Sequence, residues 1–263
     1  MKFNRRYLAC LSIMLLMLAA CKKTDQDFFY KGDLIPITLT GYNGSAEELL
    51  VKVDTLSFPS ALRPNSSFGQ SNSYLFKATE TEVRLTISEK GTGKLVLEKD
   101  LKKEDGAVKI NFLYMDGKIV PMPDRPALQD GKISLIYMFQ PTVTNYTEPV
   151  DFVVGKYYVT PQVFEELARA KNVKPNEFST PLTLPVFSTA RQDYNGVMTS
   201  VLSLVRIYKA GTNIPYTDGT AYSWNALTFT APKPMSSVAS SKLYIFNEQP
   251  TGNVMRFNTR LEL

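Results

Sequence analysis

From Leu34 onward, apolar side chains recur at every second position, and turn dipeptides cut the runs into short pieces. Ile35, Ile37 and Leu39 alternate with polar residues as far as Asn43-Gly44. Val83, Leu85 and Ile87 alternate with Arg84, Thr86 and Ser88 before Gly91 and Gly93. Val108, Ile110, Phe112 and Tyr114 lie between Asp105-Gly106 and Asp116-Gly117, and Asp130-Gly131 precedes Ile133, Leu135, Tyr137 and Phe139. Val150, Phe152 and Val154 follow. A period of two belongs to a strand with one face in a core and the other in water. Asp-Gly and Asn-Gly accept the positive φ of tight hairpin turns. The pattern predicts a mainly β chain of short antiparallel strands, not a parallel α/β sheet.

One segment departs from the alternation. Thr160-Pro161 has the form of a helix cap followed by proline at the first helical position, and Val163, Phe164, Leu167 and Ala168 recur at helical spacing. Glu165 and Glu166 come early and Arg169 and Lys171 late, which suits a helix dipole. The expectation is one short helix over 160–172, followed by a connector spaced by Pro175, Pro181 and Pro185. Beyond it, Val197 to Tyr208 and Leu243 to Phe246 are apolar on both faces, as central strands are, and Met255, Phe257, Thr259, Leu261 and Leu263 form a closing strand. Strands of this length and spacing imply two antiparallel immunoglobulin-like β-sandwich units joined by one short helix. The first unit covers 34–155, the helix and connector 156–181, and the second unit 182–263, which either stands alone or completes the first. No internal sequence repeat is visible.

The amino-terminal segment reads as a leader. Lys2, Arg5 and Arg6 precede the apolar run Leu11 to Leu18, interrupted only by Ser12, and Ala19 and Ala20 lead to Cys21. The run is shorter than the roughly 20 residues of a membrane-spanning helix. The expectation is a lipoprotein signal peptide over 1–20, cleavage before Cys21, acylation of that cysteine, and a lipidated tether over 21–33. Cys10 leaves with the leader, so no disulfide can form within the remaining chain. Of 30 basic and 25 acidic residues, the leader removes Lys2, Arg5 and Arg6 and no acid, which brings the rest close to neutrality. The basic cluster Lys99 to Lys103 is interrupted by Asp100 and Leu101 and followed by Glu104 and Asp105, the pattern of a solvated face. Nucleic acid is not an expected partner.

The chain contains no histidine. That excludes Ser-His-Asp and Cys-His catalysis and removes the commonest zinc ligand. No phosphate loop, nucleophile elbow or calcium-loop pattern is present. No catalytic residue, metal or cofactor is expected. A pair of carboxylates could still hydrolyse a glycosidic bond, but Asp105, Asp116, Asp130 and Asp218 sit in turn dipeptides that account for them. The candidate ligand-binding residues are Tyr216, Tyr222, Trp224 and Asn225, which surround Asp218-Gly219 together with Asn213. Flat aromatic faces stack on sugar rings, and amides bind hydroxyl groups. The competing reading places Tyr222 and Trp224 in the core.

The run Leu18-Ala19-Ala20-Cys21, the polar stretch Lys22-Lys23-Thr24-Asp25-Gln26-Asp27 and the Tyr-, Phe- and Asn-rich β units resemble the cell-envelope lipoproteins of Bacteroidota. The resemblance implies attachment to the outer membrane through the lipid, with periplasmic and surface faces both open. It implies a non-catalytic binding module for a glycan or an envelope protein. The alternative is a structural, pilus- or adhesin-like assembly subunit, in which the strand 254–263 pairs with a neighbour by β-augmentation. Arg256 and Arg260 would oppose such pairing by guarding the edge.

Overall fold

A computed structural model describes residues 33–263. The leader, Cys21 and the tether as far as residue 32 lie outside the described residues. The regular elements within them are strands, apart from one 3-10 turn at Lys103–Asp105.

The first eight strands are β1 (Leu34–Asn43), β2 (Leu49–Val53), β3 (Leu56–Ser57), β4 (Ser66–Leu75), β5 (Glu82–Glu89), β6 (Leu95–Lys102), β7 (Val108–Met115) and β8 (Lys118–Val120). They form two four-stranded sheets, β4-β1-β7-β8 and β3-β2-β5-β6. Ile35, Ile37 and Leu39 of one sheet and Val51, Leu85 and Ile87 of the other share a single buried cluster. The alternation is therefore what it promised: inner positions packed, outer positions in water. Asp116 and Gly117 both adopt positive φ, and Met115 pairs directly with Lys118, so this Asp-Gly is a two-residue hairpin turn. β1 runs parallel to β7, and Gly41 permits their approach. A Cβ there would lie 1.8 Å from the Phe112 carbonyl oxygen, at a φ of +149°.

The remaining strands are β9 (Lys132–Gln140), β10 (Val150–Tyr158), β11 (Val163–Val173), β12 (Leu182–Pro185), β13 (Gln192–Tyr194), β14 (Val197–Thr199), β15 (Val201–Lys209), β16 (Ser240–Glu248) and β17 (Phe257–Glu262). Their sheets are β12-β9-β16-β17, β11-β10-β15 and the hairpin β13-β14. β9 and β10 pair with later strands and pack with them in one cluster, with Tyr137, Phe152, Tyr244 and Phe246 at its centre. Strand pairing thus changes hands in 121–131, earlier than the break expected after residue 155. Pro121, Pro123 and Pro126 occupy that connection and disfavour continued pairing.

Segment 160–172 is not a helix. It is the turn and most of β11, the second arm of a hairpin in which Tyr158 pairs with Val163 and Gln162 takes a positive φ. Two register shifts in the β10–β11 ladder each place an extra residue on β11. Each bulge resets which face the following side chains occupy, so an irregular strand imitates helical spacing. Pairing to β10 then overrides the helix propensity of Glu-Glu-Leu-Ala-Arg-Ala.

The two halves repeat one topology. β1 lies between antiparallel β4 and parallel β7, and β7 turns back into β8. In the same way β9 lies between antiparallel β12 and parallel β16, and β16 turns back into β17. In the facing sheets, β2 pairs with β5 as β10 pairs with β15. The halves diverge after that. β5 is flanked by β6, whereas β15 is followed by loop 210–239. That loop satisfies the outer edge of β15: Ala231 N donates to Val205 O (2.8 Å), Thr230 Oγ1 accepts from Val205 N (2.9 Å), and Tyr216 N donates to Ile207 O (3.2 Å). Buried backbone groups need such partners, and here irregular chain supplies them in place of a strand.

The equivalent sheets of the two halves meet. Tyr42, Leu113 and Met115 pack against Ile136, Met138, Leu243, Ile245 and Leu261. Tyr42 Oη donates to Gln140 Oε1 at 2.8 Å within this contact. β9 and β16 are consequently buried on both faces, which explains the unbroken apolar run Leu243 to Phe246.

Candidate functional site

The four residues proposed from sequence do not act together. Tyr216 is fully buried, ringed by Phe139, Tyr146 and Phe229. Its hydroxyl donates to Glu248 Oε1 at 2.8 Å. Burial, and after it the Glu248 charge, push its ionisation far above the usual range. It presents no face to a ligand. Glu248, itself buried, also accepts from Val143 N, Thr144 N and Thr144 Oγ1, so this carboxylate ties loop 141–146 to β16. Asn225 is exposed, but its Oδ1 accepts from Leu227 N (2.9 Å) and Thr228 N (3.2 Å) and closes a local turn. Tyr222 is partly buried against the core. Trp224 alone, 41% exposed, offers an accessible aromatic surface.

Trp224 is nonetheless held in place. Ser223 N donates to Asn253 O and Met255 N donates to Ser223 O, which pins this part of the loop to the β16–β17 connection. The indole meets the buried Phe229 ring edge-on at 6.3 Å. Its neighbour across the cavity is Arg206, on β15. The Arg206 guanidinium carbon lies 4.1 Å from the Phe164 ring centroid, 5.3 Å from that of Trp224 and 5.5 Å from that of Tyr157. Desolvated cation–π contacts contribute on the order of 1–2 kcal/mol each. Gly155 makes this packing possible. A Cβ there would be 2.6 Å from the Phe164 ring and 2.2 Å from Glu165 O.

Arg206 is only 8% exposed. Its Nη1 donates to Tyr208 Oη at 3.0 Å, and its Nε has no hydrogen-bond partner. No ion pair among the described residues includes it. The cavity it faces has a volume of about 340 Å³ and is lined by Phe164, Glu166, Arg206, Tyr208, Asn213 and Trp224.

A second cavity of about 670 Å³ adjoins the first through Asn213 and is lined by Asp151, Arg169 and Lys171 among others. The wall between them is a closed network. Arg169 donates from Nε and Nη2 to Glu166 (3.0 and 2.6 Å), from Nη1 to Asp151 (2.9 Å) and Thr212 O (2.9 Å), and from Nη2 to Asn213 Oδ1 (2.5 Å). Asp151, 1% exposed, also accepts from Asn172 N at the bulge and from Gly211 N. The forked bond to Arg169 holds the Glu166 carboxyl below its ordinary range, and the same bond, opposed by burial and aided by Asp151, raises Arg169. The bulges on β11 and the loop that replaces a strand beside β15 therefore converge on one concave, hydrogen-bonded face. Among the described residues, no three His, Cys, Asp or Glu side chains gather as a metal site would require.

Of the residues lining these two cavities, sequence reasoning singled out Trp224 and Asn213 as candidates and did not single out Arg206, Phe164, Arg169 or Asp151. Arg206 did carry a signal, being the one charged residue inside the apolar run Val197 to Tyr208.

No protein-family model matches the sequence, and no curated protein matches it. Similar solved structures include a candidate adhesin from Bacteroides ovatus, at 8% identity and a TM-score of 0.24, with 87% of this chain and 92% of that one covered. They also include a family 26 carbohydrate-binding module of Eubacterium rectale Amy13K in complex with maltoheptaose, at 11% identity and a TM-score of 0.20, with 68% and 98% covered. A leucine-rich repeat protein from Bacteroides thetaiotaomicron matches at 12% identity and a TM-score of 0.15, with 70% and 25% covered.

Proposed function

We propose that this chain is an acyl-anchored outer-membrane lipoprotein working as a non-catalytic binding module, and that it holds a glycan on the face between Trp224 and Phe164. In this reading Cys21 carries the lipid, and each half of the chain is an immunoglobulin-like domain. The observation that carries the binding role is the sole tryptophan, exposed yet fixed at the rim of a cavity whose other walls mix two further aromatic residues, Phe164 and Tyr208, with Asn213, Glu166 and Arg206. Aromatic faces beside a few fixed polar groups suit a sugar, which is apolar on its ring faces and polar at its rim. The test is affinity electrophoresis of the purified protein through gels containing different polysaccharides. Retardation by one class, abolished in a folded Trp224→Ala variant, supports the assignment; retardation unchanged in that variant refutes the site.

The assembly reading rests on one observation: β17 is the last strand of its sheet, as addition of a partner strand requires. Arg260 on that strand donates to Asn247 Oδ1 of β16 and points its charge along the same sheet. Envelope crosslinking that recovers ladders of the protein through β17 would favour this role over glycan binding.

A further inference from the structure

Resting on the glycan-binding proposal, we infer that the ligand is an acidic glycan, and that Arg206 takes its carboxylate or sulfate group. A buried guanidinium ordinarily has a carboxylate partner or a full set of acceptors. Arg206 has neither among the described residues: three aromatic rings and the Tyr208 hydroxyl hold it, and its Nε is left over. Nε and Nη2 share one edge of the guanidinium, the fork that matches two oxygens of a carboxylate or sulfate. Arg206 lines the 340 Å³ cavity and its Nη2 carries no hydrogen bond among the described residues, whereas Nε is itself sealed beneath the rings, so the full fork reaches a ligand only as those rings give way.

The surrounding charges favour an anion. Glu166 is the acid on the same wall, and both its oxygens are engaged by Arg169. Asp151 in the adjoining cavity is likewise bound to Arg169. Arg206, Arg169 and Lys171 outnumber these two acids across the paired cavities. The aromatic packing serves the same end. It fixes the cation without neutralising it, so its charge remains for the ligand. A neutral sugar would stack on Trp224 and leave the Arg206 edge unanswered. An acidic sugar answers both.

The test uses matched polymers in 0.15 M salt: polygalacturonate against its fully methyl-esterified form, and dextran sulfate against dextran. The esterified and unsulfated forms keep the sugar rings and remove the charge. Binding of the purified protein is read by affinity electrophoresis and by Trp224 fluorescence, for wild type, Arg206→Gln and Trp224→Ala (the last by electrophoresis alone). Far-ultraviolet circular dichroism and urea midpoints confirm folding. The proposal expects an acidic polymer to bind roughly tenfold or more tightly than its neutral partner, and Arg206→Gln to abolish that preference. Preference for polygalacturonate identifies the carboxylate, and preference for dextran sulfate the sulfate ester. Equal binding of charged and neutral partners, or a preference that survives in folded Arg206→Gln, overturns the acidic assignment and leaves the glycan site standing. If Arg206→Gln fails to fold, Arg206→Lys takes its place: it keeps the charge and loses the fork, and an unchanged preference there refutes the forked contact. Binding to none of the four polymers overturns the acidic assignment, and the wider polysaccharide panel decides the glycan site.

Discussion

Tyr216→Phe separates a structural residue from a ligand residue. The substitution removes one oxygen and keeps the ring, so the contacts with Phe139, Tyr146, Phe229 and Phe257 survive and no cavity opens. What disappears is a 2.8 Å hydrogen bond from a fully buried hydroxyl to the buried Glu248 carboxylate. Hydrogen bonds to charged groups contribute about 1.5–3 kcal/mol, and Glu248 keeps three other donors, so a loss of about 2 kcal/mol is expected. Urea unfolding followed by circular dichroism should show a lower midpoint with an unchanged slope. Polysaccharide binding should match wild type, because the hydroxyl faces the core. An unchanged midpoint combined with weakened binding would refute the assignment of Tyr216 to the core and restore it to the ligand site.

The other predictions address the site and the anchor. Gly155→Ala forces a Cβ to within 2.2 Å of Glu165 O and into the Phe164 ring, and should destabilise by about 1–3 kcal/mol while loosening the ring from Arg206; denaturation and binding assays read the two effects separately, and a neutral result would show that β11 shifts freely. Arg169 depresses Glu166 in the folded state, so this carboxylate stabilises the fold above its unfolded pKa, about 4.3, and that contribution is lost as pH falls through the lower folded value. Glu166→Gln should therefore flatten the acid limb of the stability–pH curve below about pH 4.3, and an identical limb would contradict the pairing. Cys21→Ser should abolish metabolic labelling by radiolabelled palmitate and release the protein from membranes; retained labelling would place the lipid elsewhere.

What the sequence disclosed depended on the environment of each strand. β5, β1 as far as Thr40 and β7 as far as Phe112 alternate plainly because one face meets a core and the other is more open to water. β16 loses the alternation because the two halves pack through it, so its apolar run identified it; β9 was read from Ile133, Leu135, Tyr137 and Phe139, although Ile136 and Met138 between them are buried against the other half. β11 was misread because its two bulges shift the apolar positions out of period two, and the pairing that creates the bulges is not local. The change of strand partners coincides with Pro121, Pro123 and Pro126, a proline spacing that Pro175, Pro181 and Pro185 repeat where no such change occurs. The repeated topology left no trace in the sequence because it resides in strand order, which many side chains can satisfy. At the site, Trp224 was legible as a rare residue among turn signals. Tyr216 was not distinguishable from it, since two aromatics in one loop give no hint which turns inward. Arg206 was the strongest missed clue: a lone charge in a run otherwise destined for burial demands either a partner or a purpose.

Trp224 is the chain's only tryptophan, so its fluorescence reports on the proposed site and nowhere else. The direct measurement is a titration of the purified protein with a panel of neutral and acidic polysaccharides, following that emission alongside retardation in affinity gels. The account predicts a saturable change in intensity or wavelength with a midpoint equal to that of retardation. Retardation without any change in Trp224 emission would place the glycan elsewhere on the molecule and contradict the central claim.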